Sequence, residues 1–209
     1  MMMRRGLLGL LLAGLVAGPV AARAAEGAAE QAVSELNDSL VRVMKAGPTA
    51  PFPRRYEILA PVIESVFDLA GILRACVGPR WASLASRDQA DLLGVFRRFT
   101  IASYVANFDD YAGERFEVLP ESRAAGSDQV IGTRIVDGSG SVVRIDYVMR
   151  READAWKAVD VLLDGTISRV AVQRSDFRGL LGEGPDISGL IASLQQKVAD
   201  LSRGTMSAG

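Results

Sequence analysis

The sequence contains no histidine, a single cysteine and almost no excess charge: 24 Lys and Arg stand against 25 Asp and Glu in 209 residues. Each shortage removes a class of function. Without histidine there is no Ser-His-Asp or Cys-His nucleophile, no His-ligated metal centre and no general base of the commonest kind. One cysteine forms no internal disulfide, no CxxC redox motif and no Cys-rich zinc site. A chain this close to neutral lacks the basic stripe with which nucleic-acid binders displace counterions. Aromatics are scarce at 6%, whereas hydrophobic residues make up 49%. The apolar interior is therefore mostly aliphatic.

The longest apolar run sits at the beginning. Arg4 and Arg5 form a positive start, Gly6 to Val16 an apolar stretch, Gly18-Pro19 a breaker, and Ala22-Arg23-Ala24 a small-x-small cleavage site. The run is shorter than the ~20 residues a spanning helix needs. Residues 1–24 are read as a secretory signal peptide, residues 25–203 as one domain and residues 204–209 as a disordered tail. Removal of Arg4, Arg5 and Arg23 leaves 21 basic residues against 25 acidic ones, a net charge of −4. No later run reaches membrane-spanning length. A lone cysteine suits an oxidising compartment, where spare thiols are a liability.

Helical periodicity dominates the first half of the mature chain. Val33, Leu36, Leu40 and Val43 place a helix over 28–46, stopped by Gly47-Pro48. Residues 54–76 are helical with a break at Pro61, giving pieces Arg54–Leu59 and Val62–Cys76. Ser86-Arg87-Asp88-Gln89 reads as a capping box opening a helix to about Phe108. Five aromatics fall between Phe96 and Tyr111. They serve as core or as the wall of an apolar pocket.

The period then changes to two. Arg115–Leu119, Val130–Val136, Ser141–Arg151 and Ala155–Leu163 alternate, most clearly with Val143, Ile145, Tyr147 and Met149 on one face. Asp137-Gly138-Ser139-Gly140 and Glu152-Ala153-Asp154 are tight turns between antiparallel strands. Thr166–Leu181 carries both strand and helix signals and is read as helix. Asp186 caps a last helix through Leu201. Helices, then a meander, then helices make an α+β fold, with helices on one face of a curved antiparallel sheet of about four strands.

Chemistry-bearing motifs are missing. There is no G-x-S-x-G, no S-x-x-K and no glycine-rich phosphate loop after a strand. Asp137-Gly138-Ser139 is better explained as a hairpin turn than as a protease motif. Asp160 and Asp164 form a carboxylate pair without accompanying partner groups. No catalytic residue, metal ligand or cofactor is assigned.

Trp156-Lys157-Ala158-Val159-Asp160-Val161, then Asp164-Gly165-Thr166-Ile167-Ser168 and Arg174-Ser175-Asp176-Phe177, resemble the MlaC family, also called the toluene-tolerance auxiliary family. Phe67-Asp68, Leu73, Gly78 and Trp81 match a further stretch, as do Phe96 to Tyr104 and Tyr111-Ala112-Gly113-Glu114. The likeness covers about residues 30–200. It departs at Val159, where the family usually has an aromatic, and at Thr166-Ile167 before Ser168. Within the family, Asp164 to Phe177 looks most like the hopanoid-associated HpnM branch.

The resemblance implies an NTF2-like α+β sheet with added helices around an apolar pocket. It implies a periplasmic shuttle that carries a membrane lipid, a phospholipid or a hopanoid. The implied partners are an inner-membrane transporter complex of ABC type and an outer-membrane lipoprotein or other acceptor, with no nucleic acid. Such a job suits a chain without catalytic groups. A two-chain lipid exposes about 30 methylenes, and at about 0.8 kcal/mol each their hydration costs about 24 kcal/mol. The expected lining is Val62, Val66, Leu69, Leu73, Phe96, Phe99, Tyr104, Val143, Ile145, Tyr147, Val159 and Val161. Each of these is equally a core residue by type. Arg174 is read as an ion-pair partner of Asp160 or Asp164 in preference to a head-group ligand. Two other readings compete: an exported adaptor or structural protein without lipid cargo, and an enzyme of the isomerase or dehydratase kind with a carboxylate inside the pocket.

Overall fold

A computed structural model describes residues 19–182 and 185–206. The expected leader, residues 1–24, lies mostly outside them, as does the end of the expected tail. Pro19–Ala46 form helix α1, with Val33, Leu36, Leu40 and Val43 fully buried along one stripe. Gly47, at φ 47°, turns the chain out of it.

Phe52–Val66 form α2, and the break expected at Pro61 is not there. Pro61 is exposed, as is Glu57 one turn earlier. The hydrogen bond that proline forfeits is thus on the solvent side, where water replaces it. The chain breaks instead at Phe67-Asp68. Phe67 forms a single parallel bridge with Ala158, and the Asp68 N–H donates to the Ala158 carbonyl at 3.0 Å. The Asp68 carboxylate then caps α3 (Leu69–Val77), accepting from the Gly71 N–H at 2.8 Å. A Cβ on Gly71 would collide with that carboxylate.

Helix α4 spans Ser86–Asn107. The expected capping box is not formed, because Ser86 makes no side-chain cap. The Gln89 amide instead donates to the Trp81 carbonyl at 2.9 Å and the Leu84 carbonyl at 3.3 Å, tying the helix start to the preceding turn.

The sheet is an antiparallel meander in chain order: β1 (Arg115–Ala125), β2 (Asp128–Val136), β3 (Val142–Glu152), β4 (Ala155–Leu163) and β5 (Ile167–Ser168). It has one short strand more than expected. β1 also runs past Leu119: Pro120 interrupts pairing between Val118 and Ser122, and the strand resumes beyond that bulge. In the β2–β3 turn, Asp137 Oδ1 accepts from the Ser139 N–H, the Ser139 hydroxyl and the Ser141 N–H, at 2.7–2.9 Å. That is the structural role expected of Asp137-Gly138-Ser139.

Thr166–Leu181 divides into β5 and a shorter helix, α5 (Arg169–Arg178), capped by the Ser168 hydroxyl. Both signals in that stretch were real. Helix α6 spans Ser188–Leu201, and the Asp186 carboxylate accepts from the Ser188 N–H at 2.9 Å. Past its end the Gly204 N–H returns to the Ala199 carbonyl at 2.8 Å.

Ile131, Tyr147, Met149 and Ala158 present one sheet face to the helices. α1 crosses β1, β2 and β4, whereas α2, α3 and α5 rest on β4, and α6 packs on α4. The opposite face carries Asp146. It is fully buried even so, because Arg144 grips it at 2.9 and 3.1 Å and Arg123 reaches it at 3.4 Å. Gly165, at φ 72°, lets these groups close over it.

Candidate functional site

Between the helix-facing side of the sheet and helices α3, α4 and α5 lies a cavity of about 450 Å³, within the size range of small-molecule sites. Alternation in β3 turns Ile145 and Tyr147 into it, and β4 adds Val161 and Leu163. The helical period of α4 brings Phe96, Phe99 and Tyr104 to one side, with Thr100, Ser103 and Asn107 on the same side and Phe108 just past the helix end. The break at Phe67 places that ring in the wall. It sits 5.6 Å from the Tyr104 ring and 6.3 Å from the Tyr147 ring. Leu69 and Ile72 of α3 and Arg169, Val170 and Gln173 of α5 complete the lining.

The lining is apolar with a polar side. Burial pushes the Tyr104 and Tyr147 hydroxyls above the usual phenol range. Asp160 lines the cavity, but its oxygens are occupied by the Ser168 hydroxyl and by the Val161 and Val170 N–H groups at 2.8 and 3.0 Å. It acts as a structural acceptor for the β4–α5 corner. Asp164 is exposed in a turn at φ 51°. Behind the cavity, burial is the main cause that pushes the Cys76 thiol up to about 12, with the Asp160 charge adding to it. A second hollow of about 470 Å³ lies between the start of α2 and the end of α6. It is walled by Arg55, Asp109 and Arg203 as well as Phe52 and lacks the aromatic belt.

Seven of the twelve expected lining residues meet at the cavity: Leu69, Phe96, Phe99, Tyr104, Ile145, Tyr147 and Val161. Five do not. Leu73 and Val66 are buried in the core and do not reach the cavity. Val62 is a half-buried member of the core margin. Val159 is half-buried next to the irregularity where β4 slips register against β3. Val143 shares the face of Ile145 but lies beyond the helices that cover it and is 50% exposed. Arg174 forms no ion pair with Asp160 or Asp164 among the described residues. Its guanidinium lies over Gly78, where a Cβ would come within 3.1 Å of it. Sequence reasoning missed Phe67, Ile72, Phe108, Leu163 and Val170. It also missed the polar wall of Thr100, Ser103, Asn107, Arg169 and Gln173. The spacing of 100, 103 and 107, one face of α4, was the available signal.

A family model described as MlaC protein matches residues 34–196. Among solved structures, the fold is similar to that of the phospholipid-binding protein from Ralstonia solanacearum, solved in complex with a phospholipid. The TM-score is 0.71 at 18% identity, over 83% of this chain and 98% of that chain. At that identity the likeness shows the fold. No curated protein matches the sequence.

Proposed function

The chain belongs to the MlaC family, and we propose that it is a periplasmic lipid-binding protein that shuttles a membrane lipid between inner- and outer-membrane partners. The observation that carries this reading is the cavity itself. It is an aromatic and aliphatic hollow between sheet and helices, open enough at Asn107 and Arg169, both exposed, for a head group to stay in water. A similar fold that holds a phospholipid supports the same use of the space.

The role is binding, and the energetics explain why it suffices. Transfer of acyl chains from a bilayer through water is opposed by the hydration of every methylene. A protein that wraps the chains lowers that barrier without any chemical step. The one carboxylate at the cavity is held by three donors, which suits a fixed wall better than an acid–base group. The Asp164 to Phe177 stretch supports placement in the HpnM branch and makes a hopanoid a second candidate cargo beside phospholipid. The transport machinery on either side is proposed to be an ABC-type inner-membrane complex and an outer-membrane acceptor. The net charge of −4 in the mature chain gives no electrostatic attraction to anionic bilayers, so those partners supply the targeting.

Transfer of a fluorescent phospholipid from donor to acceptor vesicles tests the reading. The rate is expected to rise in proportion to added protein. A rate equal to the buffer control, with folded protein present, contradicts it.

A further inference from the structure

The second hollow, about 470 Å³ between the start of α2 and the end of α6, carries unmatched positive charge. Arg55 lines it and is half-buried. Its guanidinium is held by neutral groups alone. One Nη donates to the Val105 carbonyl at 3.2 Å, and the group lies over the Phe52 ring, 5.8 Å from its centroid. The Nε is buried without a hydrogen bond, and the second Nη has no protein partner among the described residues. A charge withdrawn from water is ordinarily paired, as the buried Asp146 is by Arg144 and Arg123. Arg55 forms no ion pair among the described residues. Arg203, exposed and likewise without an ion pair among them, lines the same hollow. So does Asp109, exposed and paired with neither. Two positive charges against one negative leave the hollow one anion short.

Charge and lining together narrow the missing group. A guanidinium is a planar fork of N–H donors that matches two oxygens on one atom. One net positive charge balances a monoanion, which a carboxylate is at neutral pH and a phosphate monoester, nearer two charges, is not. Pro51, Phe52, Ala106 and Leu201 supply an apolar wall beside the charges, so the acid that fits carries a hydrocarbon body. The volume lies within the range of small-molecule sites. We propose that this hollow binds a small organic carboxylate, with its oxygens between Arg55 and Arg203 and its apolar body against Phe52. The site is separate from the lipid cavity. The last turn of α4 divides the two: Tyr104 and Asn107 line the first, Ala106 the second. The proposal does not rest on the lipid-carrier reading.

Amide NMR of the full mature protein, titrated with benzoate and with benzamide, tests it. The probes share a ring and differ in charge. Benzoate is expected to shift the Arg55, Ala106, Ser202 and Thr205 amides saturably and to bind about tenfold or more tighter than benzamide, the worth of a hydrogen bond to a charged group. The amides of Ile72 and Val161, at the lipid cavity, are expected to stay still. Arg203→Gln, at an exposed position, is expected to weaken benzoate severalfold and to leave lipid loading unchanged. Arg55→Lys keeps the charge, loses the fork and is expected to weaken benzoate about tenfold. Equal binding of the two probes, shifts confined to Ile72 and Val161, or no saturable shift overturns the proposal. Unchanged benzoate affinity in Arg203→Gln also overturns it, and that comparison stands even where the Arg55 variant fails to fold.

Discussion

The Asp160 carboxylate accepts the Ser168 hydroxyl, and Ser168 in turn caps α5 by accepting the Ala171 N–H at 2.9 Å. One side chain on β4 thereby fixes the corner that brings Arg169, Val170 and Gln173 to the cavity wall. Loss of that carboxylate frees a hydroxyl and two N–H groups together. Asp160→Ala is expected to lower stability by about 2–3 kcal/mol, given hydrogen bonds to a charged acceptor. Ser168→Ala removes mainly the cap and is expected to cost about 1 kcal/mol. Urea unfolding measures both, and equal losses from the two variants would refute this division of labour.

Core and cavity are distinguishable by substitution. Leu73 is fully buried away from the cavity, so Leu73→Ala is expected to cost about 2–5 kcal/mol. Its effect on lipid loading should not exceed the loss of folded protein. Val161 is half-buried and faces the hollow. Val161→Asp is expected to abolish loading while far-UV circular dichroism stays native. Unfolding of the Val161 variant with no separate loading defect would assign that side chain to the core. Tyr147 is a poorer site for the same test, since its ring also packs edge-on to Phe67.

The absence of histidine has a consequence for pH. No side chain whose ordinary pKa lies near neutrality is present, so stability is expected to be flat between about pH 6 and 8.5. At higher pH the sign is fixed by Cys76, Tyr104 and Tyr147, whose pKa values are raised by burial. The unfolded chain releases these protons from about pH 9 upward while the folded chain keeps them, so stability falls as pH rises. Glu117, Asp128, Asp137 and Asp186 are lowered by hydrogen bonds. Their contribution is present above about pH 4.5 and is lost as pH falls below it. Unfolding midpoints across pH 3–11 should trace a plateau with two falling sides. A step between pH 6 and 8, or a rise above pH 9, would contradict it.

Cys76 gives an independent check on burial. With its thiol near 12, almost no thiolate exists at pH 8. The folded protein is expected to be inert to a chromogenic disulfide reagent at that pH and to react with one equivalent after denaturation. Rapid reaction of the native protein would mean that the wall between α3 and α5 opens readily.

Much of the fold was legible because its signals are local. The alternation of Ile145, Tyr147 and Met149 and the turn at Asp137-Gly138-Ser139-Gly140 need no distant partner. The stripe of Val33, Leu36, Leu40 and Val43 needs only a face to bury. The break at Phe67-Asp68 was illegible because its cause is a bridge to Ala158, far along the chain. Pro61 misled because the cost of an interior proline depends on whether its missing bond faces water.

The cavity was half legible for a different reason. Leu69 and Leu73 sit one turn apart on α3, and both are buried and apolar. Only the first meets the hollow. Composition records burial and is silent on what fills the space beyond. Val143 continues the face of Ile145 and Tyr147, yet the helices stop short of it. Thr100, Ser103 and Asn107 were illegible because polar side chains at helical spacing ordinarily mark the solvated face of a helix.

The central claim, that the hollow holds a lipid, is tested most directly by native mass spectrometry of the full chain exported to a bacterial periplasm and purified without detergent. The account predicts a mass above that of the mature polypeptide by one lipid, lost on organic extraction and restored by incubation with phospholipid vesicles. A bare polypeptide mass both before and after incubation, from protein shown to be folded, would contradict it.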